Sequence, residues 1–480
     1  MVDQLIDRLE NRLYSHTFFY IVRNNRISYF VGVIPLLLTP IVYSFFLISF
    51  YFLFLTLTYQ ISSTRHLFGM DTRSELVHLL NIDSKKLSVE ITRDGSRYKA
   101  FNLLIDDNLQ PLDLAFKPPS CTLDTQTELY VIDSVRSGTG RTPETDFYDK
   151  VIRPVFEILN LKHTYLKTTS STSIATFASG LDCSRSYTIL FLSGDTSISE
   201  FLNNLPKGGP ETPNLRPILS ILPLPMGTGN ALASSLGYMS PVDALRQFLM
   251  SPTRLAKFPV YSVTFPDKTK TYFFIILSLG FHANLLHLCT KSPEYLKMGV
   301  ERFQLASSHI LDTYDLNLHV SVRRAKPLNK DAGEETTNEE LLANGSYAYF
   351  AIVNTPNLEP KYVPSPLSNP VSEQLYLLAY SSRLDSKTLV DNIMQGYHNE
   401  VGSPIGQDLV KNGITYLPLL EDFKIELQFS GPHGQDPSYK AEVCCDGLLY
   451  NLDRFQNPII SVRFGGDSDF PFQLKVVTRE

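Results

Sequence analysis

The chain has 480 residues, enough for two or three domains, and its 43% hydrophobic and 19% charged residues are ordinary for a protein with packed cores. Its formal net charge of −6 argues against a nucleic-acid-binding protein, whose binding surface is usually basic. The five cysteines are scattered and lack the paired spacing of a zinc site, so we expect free thiols in a reducing compartment.

The N-terminal region, residues 1–64, contains a long apolar segment at about 28–61. No charged residue occurs between Arg26 and Arg65, a stretch longer than the ~20 apolar residues that span a bilayer. Pro35 and Pro40 lie near the start of this segment, which leaves two arrangements open: one tilted span, or a bent hairpin that returns to the same leaflet. A buried helix of a soluble protein is the alternative.

Residues 65–125 are predicted to form a small extension that contains β-structure. Apolar and polar side chains alternate in Leu87–Thr92 and in Tyr98–Ile105, as in half-buried strands. No chemistry can be assigned to this part from the sequence.

Residues 126–256 show repeated strand, loop and helix patterns. Three short apolar runs read as buried strands: Leu129–Ile132, Thr188–Leu192 and Ile218–Leu222. A helix is expected to begin at Thr142, followed by a proline and an acid suited to a first turn. Repeats of this kind predict an α/β domain with a parallel sheet, whose ligands bind at the carboxyl ends of the strands.

Residues 257–480 are predicted to form an antiparallel, β-rich domain. The candidate strands alternate with turns rich in Gly, Pro, Asn and Asp, and they are Val260–Thr264, Tyr272–Leu277, Leu316–Val322, Ala348–Val353, Leu375–Tyr380, Phe423–Phe429 and Ile459–Phe464. The polar, charged stretch 325–345 is expected to be a disordered insertion.

Three glycine-containing loops each follow a strand of the α/β domain. They read DSVRSGTG from Asp133, SGDTSISE from Ser193 and MGTGN from Met226. Glycine allows a backbone to approach phosphate closely, and a helix N-terminus offers N–H groups and a positive dipole end. The aspartate of the second loop could hold magnesium or accept a proton from a hydroxyl. Each loop alone is also compatible with an ordinary turn or helix cap.

Together and in this order, the three loops resemble those of the diacylglycerol and sphingoid-base kinases. The resemblance extends from Glu128 to the C-terminus, where the stretch from Gly280 to Phe303 and the Cys445-Asp446-Gly447 turn also resemble family segments. Ala231, directly after the third loop, is more similar to the sphingoid-base branch. The resemblance implies two domains with ATP in the cleft between them and Mg²⁺ bridging the nucleotide phosphates.

The resemblance also implies roles for individual residues. Asp195 would be the general base on the lipid hydroxyl and, with Asp446, a metal ligand; Asn284 would lie at the lipid's polar head. The residues expected to bind the nucleotide are Arg136, Ser137, Gly138, Thr169, Gly194, Ser197, Glu200, Gly227, Thr228, Gly229, Asn230, Lys297, Arg302 and Asp446.

Four positions depart from the family pattern. Asp133-Ser134 replaces Asn-Pro, and its carboxylate could repel ATP or carry metal. Thr196 replaces a glycine, so the loop has another shape or a strained residue. Leu448 replaces an acid, and Asn284 replaces an aspartate that would pair with a cationic amine.

These departures leave three hypotheses. The first is an active, membrane-associated lipid kinase, acting on a sphingoid base or, next, on diacylglycerol. The second is an inactive membrane-anchored regulator that binds lipid or nucleotide. The third is a small-molecule kinase similar to the NAD kinases.

Because ATP is cytosolic, a membrane-associated lipid kinase is expected at an internal membrane such as the endoplasmic reticulum, with residues 65–480 facing the cytosol. The sequence does not indicate an oligomeric state.

Overall fold

The computed structural model describes residues 22–23, 26–27, 72–82, 85–95, 97–107, 127–138, 140–208, 216–250, 254–298, 301–325, 339–405, 413–429 and 436–479. The chain forms two compact units, residues 1–71 and 72–480. In the first unit, Val22–Arg23 (β1) and Arg26–Ile27 (β2) pair as an antiparallel hairpin. The apolar segment at 28–61 lies outside the described residues. Within the ranges given above, no helix has the length and hydropathy needed to cross a membrane.

The second unit begins with a three-stranded antiparallel sheet in the order β3-β4-β5. Its strands are Thr72–Ile82 (β3), Lys85–Asp94 (β4) and Arg97–Asp106 (β5). One face is buried because alternate side chains of the central strand, Leu87, Val89 and Ile91, are apolar. Phe101 continues this face, and its ring lies 4.9 Å from that of Phe147. The sheet therefore packs on the α/β part of the unit.

A six-stranded sheet has the order β10-β22-β9-β8-β6-β7. Its strands are Thr127–Asp133 (β6), Thr164–Lys167 (β7), Ser186–Ser193 (β8), Ile218–Pro225 (β9), Arg254–Lys257 (β10) and Gln473–Thr478 (β22). All neighbours are parallel except β10, which is antiparallel to β22. The predicted parallel sheet is confirmed, but its second-last strand comes from the C-terminus, which the sequence had placed in the β-rich region.

The helices between these strands are short. They are Arg153–Ile158 (α1), Ser173–Ser179 (α2), Asp195–Asn203 (α3), Ala231–Ser235 (α4) and Pro241–Leu249 (α5). The helix expected to begin at Thr142 instead begins at Phe147, with a π-helical stretch, Tyr148–Ile152, leading into α1. Thr142 forms a separate turn with Thr145, since each backbone N–H donates to the other's hydroxyl.

The β-rich region is an eleven-stranded antiparallel sheet. Its strands are Tyr261–Thr264 (β11), Lys270–Phe273 (β12), Ile276–Gly280 (β13), Leu318–Ala325 (β14), Glu339–Val353 (β15), Leu375–Ser381 (β16), Ile414–Leu419 (β17), Phe423–Gln428 (β18), Glu442–Cys445 (β19), Leu448–Asn451 (β20) and Ile459–Arg463 (β21). The α-helices of its described residues are Phe281–Lys291 (α6), Pro293–Leu296 (α7), Arg302–Thr313 (α8) and Ser386–Met394 (α9). The predicted antiparallel β-rich region is thus confirmed.

Part of the expected disordered insertion is a strand. Residues 339–345 form the first half of β15 and pair with β14, whereas residues 326–338 lie outside the described ranges. Two charges of this stretch, those of Glu339 and Glu340, are paired across strands. Arg324 Nε donates to Glu340 at 2.9 Å, and Lys424 Nζ donates to Glu339 at 2.8 Å.

Candidate active site

The three glycine loops meet at the carboxyl edge of the parallel sheet. A Cβ atom added to Gly227 would lie 2.4 Å from Cα of Gly194, and one added to Gly138 would lie 2.7 Å from the carbonyl oxygen of Met226. Both distances are too short for any residue with a side chain. Glycine is therefore required where the second and third loops touch, and where the first loop, at a φ of +63°, meets the third.

Asn230 closes the third loop on itself. Its backbone is left-handed, at φ 56° and ψ 46°, a conformation that asparagine tolerates better than most residues. Its Oδ1 accepts the N–H of Gly227 at 2.8 Å, and its Nδ2 donates to the Gly227 carbonyl at 2.9 Å. The N–H groups of Thr228 and Gly229 have no acceptor within the described part of the chain. They remain available to a phosphate.

Asp195 joins the second loop to the third. It is the first residue of α3, and its two carboxylate oxygens accept the N–H groups of Ala231 at 2.6 Å and Leu232 at 3.1 Å. It therefore caps α4, and the helix N-terminus that the sequence offered to phosphate is occupied by this carboxylate. Burial raises the pKa of Asp195. Since a carboxylate has about four acceptor positions, Asp195 keeps some for a hydroxyl or a metal.

Asp446 approaches the same place from the β-rich region. Its carboxylate accepts three backbone N–H groups, from Phe274 at 2.7 Å, Ile275 at 3.0 Å and Ile276 at 2.8 Å. Burial, with a further contribution from the charge of Asp195, raises the pKa of Asp446 to about 7. These bonds explain why the predicted strand Tyr272–Leu277 is divided into β12 and β13. The N–H groups between the two strands bind Asp446 and not a neighbouring strand.

Thr196 and Gly447 bring the two regions into contact. A Cβ atom added to Gly447 would lie 3.1 Å from Oγ1 of Thr196. Thr196 lies in the first turn of α3 and has no positive φ. The departure from glycine at this position therefore gives a loop of another shape, without a strained residue.

Asp133 is part of a buried ion pair. Its Oδ1 lies 3.2 Å from Nε of Arg141, and both side chains are at least 94% buried. Arg141 also donates to the carbonyl oxygens of Ser137 and Leu192, so it ties the first loop to the end of β8. Burial raises the pKa of Asp133, and Arg141 opposes this. Arg141 is thus enclosed, whereas Arg136, which was expected to bind the nucleotide, is exposed.

The other predicted residues of the α/β part lie along the same edge or just behind it. Thr169 is exposed after β7, and its N–H donates to Ser173 at 3.1 Å. Ser197 is buried in the first turn of α3, and Glu200 follows one turn later, where burial raises its pKa. Ser137 lies in the first glycine loop and Thr228 in the third.

Lys297, Arg302 and Asn284 lie on the helices of the β-rich region. Lys297 is exposed after α7, and Arg302 begins α8 with its guanidinium 5.1 Å from the ring centre of Phe303. Asn284 is 2% exposed, and its Oδ1 has no hydrogen-bond partner in the part of the chain that the structure describes. Among the described residues, no hydrogen bond or ion pair joins these three side chains to the glycine loops, so their roles stay predictions.

Two features near the site escaped the sequence analysis. The first is the loop after β15: Asn357 and Ser235 exchange hydrogen bonds, and a Cβ on Gly229 would lie 3.2 Å from the Leu358 carbonyl oxygen. In the sequence, this loop could be recognised by its Asn and Pro residues directly after a buried strand. The second is His282, whose Nδ1 lies 2.7 Å from Ser278 Oγ and whose pKa burial lowers to about 4.

The residues present suit a magnesium ion held mainly by a nucleotide. Within the described residues, no group of three or more His, Cys, Asp or Glu side chains could hold a metal alone. Magnesium typically takes one or two carboxylates and binds substrate phosphates and water with its other positions. Asp195, with acceptor positions to spare, fits that requirement better than Asp446, whose oxygens already accept three N–H groups.

Comparison with known proteins gives one family match. Residues 128–258 match the family model of the diacylglycerol kinase catalytic domain. A search of curated proteins gives no match. Three similar solved structures are assigned to diacylglycerol kinases of Bacillus anthracis str. Sterne, and each comparison covers 73% of this chain and 97% of the other. One is 13% identical with a TM-score of 0.47, and two are 14% identical with TM-scores of 0.45. Such distant likenesses do not indicate an activity.

Proposed function

We propose, from the premise that residues 128–258 are a diacylglycerol kinase catalytic domain, that this chain transfers the γ-phosphate of ATP to the hydroxyl of a long-chain lipid. The observation that carries the proposal is the meeting of three glycine loops beside Asp195. The N–H groups of Gly138, Gly194, Thr228 and Gly229 have no acceptor among the described residues and suit the oxygens of a polyphosphate.

The arrangement suits phosphoryl transfer, which depends mainly on positioning and charge neutralisation. The glycine loops would hold the phosphates, and Asp195 would accept the proton of the attacking hydroxyl. The raised pKa of Asp195 brings the carboxylate closer to the range useful for a general base at neutral pH. A bound Mg²⁺ would neutralise part of the phosphate charge.

The acceptor is proposed to be a sphingoid base or a diacylglycerol. Ala231 after the third loop favours the sphingoid branch. Asn284, which the resemblance assigns to the lipid's polar head, is buried and uncharged. It offers no negative charge to a cationic amine, so this residue favours a neutral diacylglycerol.

The test is a transfer assay with the detergent-solubilised full chain, labelled ATP, Mg²⁺ and four lipids: a sphingoid base, diacylglycerol, ceramide and monoacylglycerol. We expect one lipid to be labelled, and we expect Asp195→Asn to reduce labelling at least about 100-fold, as for loss of a general base. Asp391→Asn, which removes a charge from a 63% exposed side chain, is the matched control and should retain activity. Full activity of Asp195→Asn would exclude it as the base.

A second candidate is a nucleotide-binding regulator without turnover. It is favoured by the engagement of both carboxylates, since Asp195 caps α4 and Asp446 binds three N–H groups. This candidate predicts saturable ATP binding with no lipid labelled. Labelling above that of the Asp195→Asn variant would exclude it.

We also propose that the apolar segment at 28–61 keeps the enzyme at an internal membrane, with the catalytic part in the cytosol, where ATP is present. In sealed microsomes, added protease should digest residues 72–480. Protection of this part from protease would contradict the proposed orientation.

A further inference from the structure

Lys207, just after the end of α3, holds its ammonium group against two aromatic rings. Its Nζ lies 4.1 Å from the ring centre of Tyr272 and 4.0 Å from that of Phe470, and it donates to the Leu202 carbonyl at 3.3 Å. No carboxylate among the described residues forms an ion pair with it. The residue is exposed overall, but its ammonium group packs on the two rings, and this burial lowers the pKa of Lys207 to about 8.

Two more cations stand beside this lysine. Lys270 Nζ and Arg463 Nη2 both donate to Asp469, at 2.5 Å and 2.6 Å, and Tyr272 donates its hydroxyl to the same carboxylate at 2.9 Å. Lys270 and Arg463 keep 36% and 40% of their side chains exposed. Among the described residues, Asp469 thus pairs with Lys270 and Arg463 but not with Lys207, in a chain whose net charge is −6.

Other charged groups around the cluster are already paired. Arg216 Nη1 donates to the carbonyl oxygens of Ser468 and Phe470. Asp467 lies 3.6 Å from Lys257, which also contacts Glu373 at 2.7 Å. Among the described residues, Lys207, Lys270 and Arg463 are therefore the cations grouped around Tyr272 and the carboxylate of Asp469.

We propose that Lys207, Lys270 and Arg463 form a second anion site, for the phosphate group of an acidic phospholipid or of a soluble phosphate. Phosphate oxygens accept charge-assisted hydrogen bonds from lysine and arginine, and an anion beside Lys207 supplies the negative charge that this ammonium lacks. Binding would also offset the unfavourable burial of the ammonium group.

The site is separate from the glycine loops but mechanically connected to them. α3 begins at Asp195 and ends at Asn203, a length of about 14 Å for nine residues at 1.5 Å per residue. Asn203 binds the backbone of Tyr272 on both sides, accepting its N–H at 2.9 Å and donating to its carbonyl at 3.0 Å. An anion on the cluster thus contacts one end of the helix whose other end carries Asp195. The proposal does not depend on the kinase activity.

The test measures the reactivity of Lys207 in the full chain by competitive acetylation at pH 8, with peptides quantified by mass spectrometry. Only the uncharged amine reacts, so a bound anion that raises the pKa of Lys207 from about 8 to about 9 should lower its acetylation about fivefold. One arm adds inorganic phosphate against sodium chloride of equal ionic strength. Another compares detergent micelles containing phosphatidic acid with micelles containing phosphatidylcholine.

Lys387, 87% exposed, is the internal control and should react equally in every arm. Protection of Lys207 by phosphate indicates a soluble ligand, and protection by phosphatidic acid alone indicates a lipid headgroup. Both outcomes support the site if the double variant Lys270→Met, Arg463→Met abolishes the protection while Lys387 is unchanged. Absence of protection in both arms, or protection that persists in the double variant, would overturn the proposal.

Discussion

At the scale of single residues, Asn230 combines a left-handed backbone with a side chain that bridges both polar groups of Gly227. Replacing it with alanine should destabilise the protein by about 2 kcal/mol, from the cost of a left-handed residue and the lost hydrogen bonds. Asn230→Gly should recover the backbone part of this loss. Denaturant unfolding of the full chain measures both variants.

Asn160 provides the matched comparison for this prediction. Its φ is 51°, close to the 56° of Asn230, but the structure gives its side chain no hydrogen bond. Asn160→Ala should therefore cost about 1 kcal/mol, the backbone contribution alone. Equal losses at the two positions would show that the bridge of Asn230 to Gly227 adds no stability.

His282 gives a pH-dependent prediction. Burial lowers its pKa from 6.5 to about 4, so in the folded protein the ring stays neutral at pH values where the unfolded chain already binds a proton. The free energy of unfolding should therefore fall as the pH decreases from about 6.5 to about 4. The variant His282→Gln should lose this part of the pH dependence, measured by unfolding at several pH values. His309→Gln, at an exposed position, should retain the wild-type profile.

At the scale of elements, the buried pair Asp133–Arg141 connects three parts: the end of β6, the first glycine loop and the end of β8. Arg141→Met should destabilise the protein by about 3–5 kcal/mol, because it leaves a buried carboxylate unpaired. Adding Asp133→Asn should recover part of that loss in a double-mutant cycle. The measurement is denaturant unfolding of the two single variants and the double variant.

The exposed pair Arg153–Asp149 is the control for this cycle. Its side chains are 52% and 48% exposed, so Arg153→Met should change stability by less than about 1 kcal/mol. If Arg141→Met costs no more than Arg153→Met, the buried pair does not organise the first loop.

The strands were predictable from the sequence where hydrophobic burial alone decides them. Leu129–Ile132 and Phe423–Phe429 are examples, because their apolar side chains repeat at strand periods and turns bound them. Predictions failed where a distant partner decides the structure. Asp446 divides Tyr272–Leu277 because its carboxylate accepts three N–H groups of that stretch. Residues 339–345, which include the charged Glu339 and Glu340, form a strand through partners on β14 and β18.

The same distinction applies to the candidate site. Three loops after three parallel strands must share one sheet edge, so their meeting could be predicted from topology. The capping of α4 by Asp195 could not, because a short loop sequence does not reveal which N–H groups will come within reach of its carboxylate. The roles of Lys297, Arg302 and Asn284 came from the resemblance alone and stay predictions.

At the scale of the whole molecule, the C-terminal strand returns to the six-stranded sheet that begins with β6. β22 lies between β9 and β10, and its residues 473–476 pair in parallel with 218–221. The last strand therefore belongs to the sheet that carries the glycine loops, together with the strands of residues 127–257. Contacts of such long sequence separation slow folding, because the entropy cost of closing the loop comes before the contacts form.

A chain truncated after Asp469 should consequently fail to fold. It would lose the buried side chains of Leu474, Val476 and Val477, each worth about 1.5–3 kcal/mol, and would leave β9 without one of its two neighbours. The sum is comparable with the 5–15 kcal/mol by which whole domains are stable. A chain ending at Thr478 keeps β22 and should unfold cooperatively, having lost the ion pair of Arg479 with Asp243. Circular dichroism during heating distinguishes the two truncations. If the chain ending at Asp469 shows the same transition as the full chain, the parallel sheet does not need its C-terminal strand.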